Sequence, residues 1–323
     1  MLQPLGIRAT WWWRAAGSAL LATVTLHAGC SRPTPLPAPA PEPVPAEAAA
    51  PVRSREGMVV SATELASRAG AEVLAAGGNA VDAAIATGFA LAVTHPTAGN
   101  IGGGGFMVIR FPDGRTTAID FREKAPLAAH PEMWLDEKGE YSSTLHHNSH
   151  RSVGVPGTVA GFALAHERYG RLPWARLVEP AVKMAGEGFA VMPGLARSLA
   201  AVLPSMRPYP ASVAQFSKNG VPFAAGELLR QPDLARTLER IAREGRDGFY
   251  RGETARLLVA EMERGGGLIT LEDLARYEAK ERVPVRGTFR GFDIIGMPPP
   301  SSGGVALLEM LNILEGFDLA AMG

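Results

Sequence analysis

Apolar positions recur along this chain at two spacings, helical and alternating, and the switches between them mark its elements. Residues 63–76 keep helical spacing and are closed by Gly77-Gly78, a helix C-terminal signal. Asn79 then opens a helix over residues 80–93, with Asp82 at its third position to answer the free amides and the positive helix end. This helix is alanine-rich with almost no polar face, which predicts burial between layers. Thr94-His95-Pro96 ends it and leads into four successive glycines, 102–105, where the missing β-carbons permit positive φ and close approach. Residues 106–111 are mostly apolar and predict a buried strand, and Pro112-Asp113-Gly114 predicts the turn of a hairpin. On its second arm Thr117, Ile119 and Phe121 share one face, while Ala118, Asp120 and Arg122 share the other. Beyond a polar excursion over residues 128–149, helices are predicted at 158–169, 173–187 and 234–244, the last started by Pro232-Asp233. Residues 193–210 read as a helix followed by a proline-broken loop. A helix at 253–264 is stopped by three glycines, and a short one starts at Leu271. Residues 283–295 alternate as strand material interrupted at Gly287, and a stiff polyproline passage, 298–300, enters a helix at 305–314.

Composition adds bounds to this pattern. With 46% hydrophobic and 20% charged residues over 323 positions the chain has material for a large core. Lysine plus arginine equal aspartate plus glutamate at 32 each, so no field attracts nucleic acid and small-molecule chemistry fits better. The N-terminus is set apart. Residues 1–29 carry Arg8 and Arg14, then an apolar run from 15 to 26 too short to span a membrane, the layout of an export signal. Ala28-Gly29-Cys30 resembles a bacterial lipoprotein processing site, although His27 departs from the usual aliphatic residue; a plain secretory signal is the alternative. Residues 31–56 hold eight prolines interleaved with alanine, an extended tether. The division is therefore a signal (1–29), a lipidated Cys30 with its proline-rich tether (30–56) and a folded domain (57–323), placing the protein in the periplasm or cell envelope. Cys30 is the only cysteine, which rules out a disulfide within the chain and a cysteine-based metal site.

Candidate chemistry is narrowed mostly by exclusion. The glycine run leads into a strand and lacks a Gly-Lys-Ser/Thr ending, so it is neither a phosphate loop nor a dinucleotide fingerprint. No Gly-x-Ser-x-Gly elbow or Ser-x-x-Lys pair occurs. His146, His147 and His150 lie among serine and asparagine and read as surface loop, and His166-Glu167 lacks the second zinc histidine because position 170 is glycine. No metal or cofactor is expected. Arg122 remains: a guanidinium where a strand meets a loop can grip a carboxylate through two parallel hydrogen bonds, or can pair at the surface with Asp120 or Glu123.

Four strings occur in order: Asn79-Ala80-Val81-Asp82-Ala83-Ala84-Ile85-Ala86, Thr94-His95-Pro96, Gly99-Asn100-Ile101-Gly102-Gly103-Gly104-Gly105-Phe106 and Asp120-Phe121-Arg122-Glu123. Further matches lie at Val155-Pro156-Gly157-Thr158, Gly265-Gly266-Gly267-Leu268 and Met297-Pro298-Pro299-Pro300-Ser301-Ser302-Gly303-Gly304. From about Gly57 onward the chain thus resembles the γ-glutamyltranspeptidase (glutathione hydrolase) family. The resemblance implies an α/β fold of the N-terminal-nucleophile hydrolase type, an α/β/β/α sandwich that this chain leaves incomplete, with open hydrophobic edges. It implies a precursor that cleaves itself to expose a threonine at the start of a small subunit, downstream of this chain, which alone would be inactive. Arg122 matches the arginine that binds the α-carboxylate of the γ-glutamyl donor, glutathione, whose acyl group passes to water or to an amino-acid or dipeptide acceptor. A cephalosporin-acylase-like relative, which need not keep the clamp, and a non-catalytic envelope binding module are the alternatives.

Overall fold

The computed structural model describes residues 52–322, so the export signal, Cys30 and the proline-rich stretch up to residue 51 lie outside the described residues. Helix α1 (Glu64–Ala75) begins where the Thr63 hydroxyl accepts from the Ala66 amide, and Gly77 turns the chain after it with φ of +88°. Helix α2 (Ala80–Thr94) starts on a complete capping box: Asn79 Oδ1 accepts from the Val81 and Asp82 amides, and the Asp82 carboxylate accepts from the Asn79 amide at 2.9 Å. Asp82 does more than cap. It is 0% exposed and also takes the Arg171 amide at 3.0 Å and the Leu172 amide at 3.4 Å, joining the start of α2 to a turn ninety residues on. Asp82→Ala should therefore lower stability by about 3 kcal/mol, because three amides lose their acceptor in a buried site. Urea unfolding measures this, and an unchanged midpoint would contradict it.

Strand β1 (Phe106–Arg110) pairs antiparallel with β2 (Thr116–Asp120) in a register running from Phe106 opposite Asp120 to Arg110 opposite Thr116. The polar excursion then holds only short helical turns and α3 (Ser143–His147). Helix α4 (Thr158–Tyr169) lies against α2 and β2, and α5 (Trp174–Glu187) packs on α2. Strand β3 (Phe189–Ala190), helices α6 (Pro193–Met206) and α7 (Pro210–Phe216) and strand β4 (Leu228–Leu229) follow, with β3 and β4 paired. Helix α8 (Pro232–Glu244) packs on α5, α9 (Asp247–Tyr250) joins it to α10 (Gly252–Gly265), and α11 (Leu271–Arg276) carries a second capping box, Thr270 with Asp273. Strand β5 (Lys280–Arg282) adds to the free side of β2, giving a sheet in the order β1-β2-β5. A hairpin of β6 (Val285–Phe289) and β7 (Phe292–Gly296) packs on α12 (Gly303–Glu315).

The core explains why α2 is central: eleven of its fifteen residues are buried. An aromatic series crosses it edge to face, from Trp174 of α5 to Phe89 of α2 (5.5 Å), then to Phe162 of α4 (5.1 Å), then to Phe121 (5.7 Å). Phe121 is thereby anchored immediately before Arg122.

Three local expectations are corrected. The break in residues 283–295 is at Arg290-Gly291, with φ of +50° and +81°, and not at Gly287, which stays in β6 because a β-carbon there would stand 2.5 Å from Leu308 Cδ2. Helix α6 continues through Pro204 to Met206, which confines the proline-broken loop expected before Pro210 to residues 207–209, and α7 starts at Pro210. Pro298–Ser301 is a turn, with the Ser301 amide donating to the Pro298 carbonyl at 3.2 Å, rather than a polyproline run. Among the described residues β1 and β5 are each paired on one side only, and Met310 and Ile313 of α12 are exposed.

Candidate substrate-binding site

The glycine passage is held by α4. Asn100 Oδ1 accepts from the Gly103 amide at 2.9 Å and from the Thr158 hydroxyl at 2.7 Å. The Gly103 carbonyl in turn accepts the Gly157 amide at 2.7 Å and the Thr158 amide at 3.1 Å, so amides at the helix start that lack an intrahelical partner are used here. None of residues 102–105 adopts positive φ; close neighbours account for three of the glycines, backbone at Gly104, the Asn100 side chain at Gly103 and the Phe121 ring at Gly105. A β-carbon on Gly104 would stand 2.6 Å from the Phe121 carbonyl and 2.8 Å from the Glu123 amide. Gly102 differs, with open space around it. The passage is thus laid directly on residues 121–123.

Arg122 lies two residues past the end of β2, after Phe121, and is exposed. Its backbone is fixed on both sides: the amide donates to Asp120 Oδ1 at 3.2 Å, and the carbonyl accepts from the Tyr277 hydroxyl at 2.8 Å. The surface pairing open from sequence does not form. Asp120 is buried and its Oδ2 receives both Nε and Nη2 of Arg282, at 3.1 and 2.8 Å. Among the described residues the Arg122 guanidinium has no ion-pair partner, nor does Glu123. A cavity of about 590 Å³ opens beneath the passage, lined by Gly104, Gly105, Phe106, Phe121, Thr158 and Phe162 among others. Arg122 stands next to this lining in the chain without forming part of it.

Behind Arg122 lies a stack that sequence reading missed. Lys124 Nζ sits 4.8 Å over the Tyr277 ring, Tyr250 stacks on Tyr277 at 5.8 Å and 12°, and the Arg246 guanidinium lies 4.6 Å over Tyr250. The Tyr250 hydroxyl donates to the Pro156 carbonyl at 2.7 Å. Burial pushes both phenols well above the ordinary tyrosine range, so they stay neutral hydrogen-bond donors across working pH. Partial burial lowers the Lys124 ammonium. The only local signal for this stack was an aromatic residue just past a short helix.

The remaining sequence candidates are engaged elsewhere. His150 Nε2 lies 2.8 Å from Glu261 Oε1, and His146 stacks on His147 at 4.3 Å and on Trp134 at 4.7 Å. Arg264 and then His150 hold the Glu261 carboxyl down to about 2. Ser301 Oγ accepts from the Gly303 amide at 3.2 Å, a helix-entry role.

This architecture recurs in solved structures. A γ-glutamyltranspeptidase of Helicobacter pylori superposes with a TM-score of 0.82 at 45% identity, covering 84% of this chain and 79% of that one. A cephalosporin acylase of Bacillus halodurans superposes with a TM-score of 0.74 at 32% identity, covering 87% and 53%. The fold is the α/β fold of the N-terminal-nucleophile hydrolases. The Gamma-glutamyltranspeptidase family profile matches residues 66–323, and the glutathione hydrolase proenzyme of Escherichia coli K12 is 47% identical over 321 residues, 98% of this chain and 54% of that protein. The chain belongs to the γ-glutamyltranspeptidase family. It spans about half the length of the curated relatives it matches.

Proposed function

We propose that residues 57–323 are large-subunit material of an exported enzyme that hydrolyses glutathione and other γ-glutamyl compounds or transfers their acyl group, and that Arg122 grips the donor α-carboxylate. The observation that carries this is the free Arg122 cation on a fixed backbone, with its neighbour Asp120 already occupied by Arg282. A guanidinium so presented matches the planar geometry of a carboxylate, which a lysine does not. The attacking group in this reading is the hydroxyl of a threonine outside residues 1–323. Its own α-amine, with a reference pKa near 8, takes the hydroxyl proton as the oxygen adds to the γ-carbonyl. Collapse of the tetrahedral adduct expels the amine product and leaves a γ-glutamyl ester, which water or an amino-acid acceptor then cleaves. No cofactor enters this sequence. Cys30 belongs to the same proposal as a lipid-bearing N-terminus after signal removal, with residues 31–56 as the spacer from the membrane surface. Among the described residues no helix is long and apolar enough to cross a membrane.

A second reading has a specific support, the likeness to the cephalosporin acylase. A glutaryl amide keeps the carboxylate that Arg122 would hold and lacks only the α-amine, so the clamp serves either substrate. The test is the complete enzyme assayed on γ-glutamyl-p-nitroanilide and glutaryl-p-nitroanilide. The proposal expects at least about tenfold higher kcat/KM for the γ-glutamyl compound, the discrimination expected when a site built for a polar group finds it missing. Faster turnover of the glutaryl compound would replace this reading with the acylase one.

A further inference from the structure

We infer that Tyr277 is a positioning residue for the Arg122 clamp; the inference rests on the functional reading above and adds to it. After Asp120 the chain leaves the β2 ladder, and the next paired residue is Lys124, bridged to Val155. Within that gap Phe121 is held by Gly105, but neither backbone group of Arg122 is held by a strand. Its amide is held by the side chain of Asp120 and its carbonyl by the hydroxyl of Tyr277. Tyr277 comes from a segment 155 residues away and is 2% exposed.

The ring is held as well as the hydroxyl. Tyr250 stacks on it at 5.8 Å and the Lys124 ammonium stands over it at 4.8 Å, the latter also donating to the Glu278 carbonyl at 2.9 Å. Arg246 Nη2 donates to the Tyr277 carbonyl at 2.6 Å. Tyr277 therefore meets the loop twice, through its phenol at residue 122 and through its ring at residue 124. Gly157 makes room for this, since a β-carbon there would stand 2.1 Å from the Tyr277 hydroxyl. Without the phenol the Arg122 carbonyl loses its partner and the 122–123 peptide can rotate. The guanidinium then departs from the geometry that two parallel hydrogen bonds require.

The test compares two donors in the complete enzyme: γ-glutamyl-p-nitroanilide, and 4-aminobutyryl-p-nitroanilide, which keeps the amine and acyl chain and lacks only the α-carboxylate. Tyr277→Phe is expected to lower kcat/KM for the γ-glutamyl donor about tenfold, chiefly through KM, while leaving the 4-aminobutyryl donor within about twofold. In an Arg122→Ala background the same substitution should add nothing, because the two residues act as one unit. Lys124→Met, which removes the cation above the ring, should give a smaller loss with the same donor selectivity and serves if Tyr277→Phe matures poorly. Equal loss on both donors, or no loss, overturns the inference. If Arg122→Ala fails to distinguish the donors, the reading of Arg122 falls and this inference with it. If Arg122→Ala distinguishes them and neither Tyr277→Phe nor Lys124→Met does, only this inference falls.

Discussion

Arg122→Ala in the complete enzyme should lower kcat/KM for γ-glutamyl-p-nitroanilide by roughly two to three orders of magnitude. Truncating one partner of a charge pair that is desolvated in the complex costs about 2–5 kcal/mol, much of it from the charge left without its counter-ion. Arg122→Lys keeps the charge but loses the planar fork, so about a tenfold loss is expected, again chiefly through KM. Stability supplies the control. Arg122 is exposed and makes no ion pair among the described residues, so its removal should leave unfolding unchanged within about 0.5 kcal/mol. Unchanged kinetics in Arg122→Ala would remove the residue from the site.

The largest effect on folding is expected at Gly157. A β-carbon there would lie 2.0 Å from the Phe121 carbonyl oxygen and 2.1 Å from the Tyr277 hydroxyl. Neither can retreat: Phe121 is bonded across to Gly105 and packed on Phe162, and Tyr277 is stacked on Tyr250 with the Lys124 ammonium over its ring. Gly157→Ala should destabilise the enzyme by about 3 kcal/mol or more, a melting-temperature drop on the order of 6–12 °C. Gly102→Ala, placed in open space, should melt with the native protein. A Gly157→Ala variant with native melting temperature would show that the segment at 157 and the loop at 121–123 are not in close contact.

Much of the scaffold was legible because its signals are local. Asn79 with Asp82 and the glycine pair after α1 mark helix ends through groups three or four residues apart. Arg122 is singled out by the ordered strings around it rather than by its own chemistry. What escaped depends on distant partners. Lys280–Arg282 has no apolar alternation; it becomes a strand because Thr117 donates to Glu281 at 2.6 Å and Arg282 grips Asp120, pairings across more than 160 residues. Tyr277 escaped for the same reason, since its role is set by a carbonyl 155 residues earlier. The turn at Arg290-Gly291 was missed because Gly287 offered a competing glycine, whose real cause is the Leu308 side chain beside it. The glycine passage was located correctly for half of the stated reason: close approach is present, by backbone at Gly104, and positive φ is not.

The most direct measurement is a crystal structure of the complete enzyme with glutamate bound. The account predicts the α-carboxylate held by Arg122 through two parallel N–H···O bonds of about 2.7–2.9 Å, with the Tyr277 hydroxyl still on the Arg122 carbonyl. A carboxylate bound by other residues, with the Arg122 guanidinium left in solvent, would contradict it.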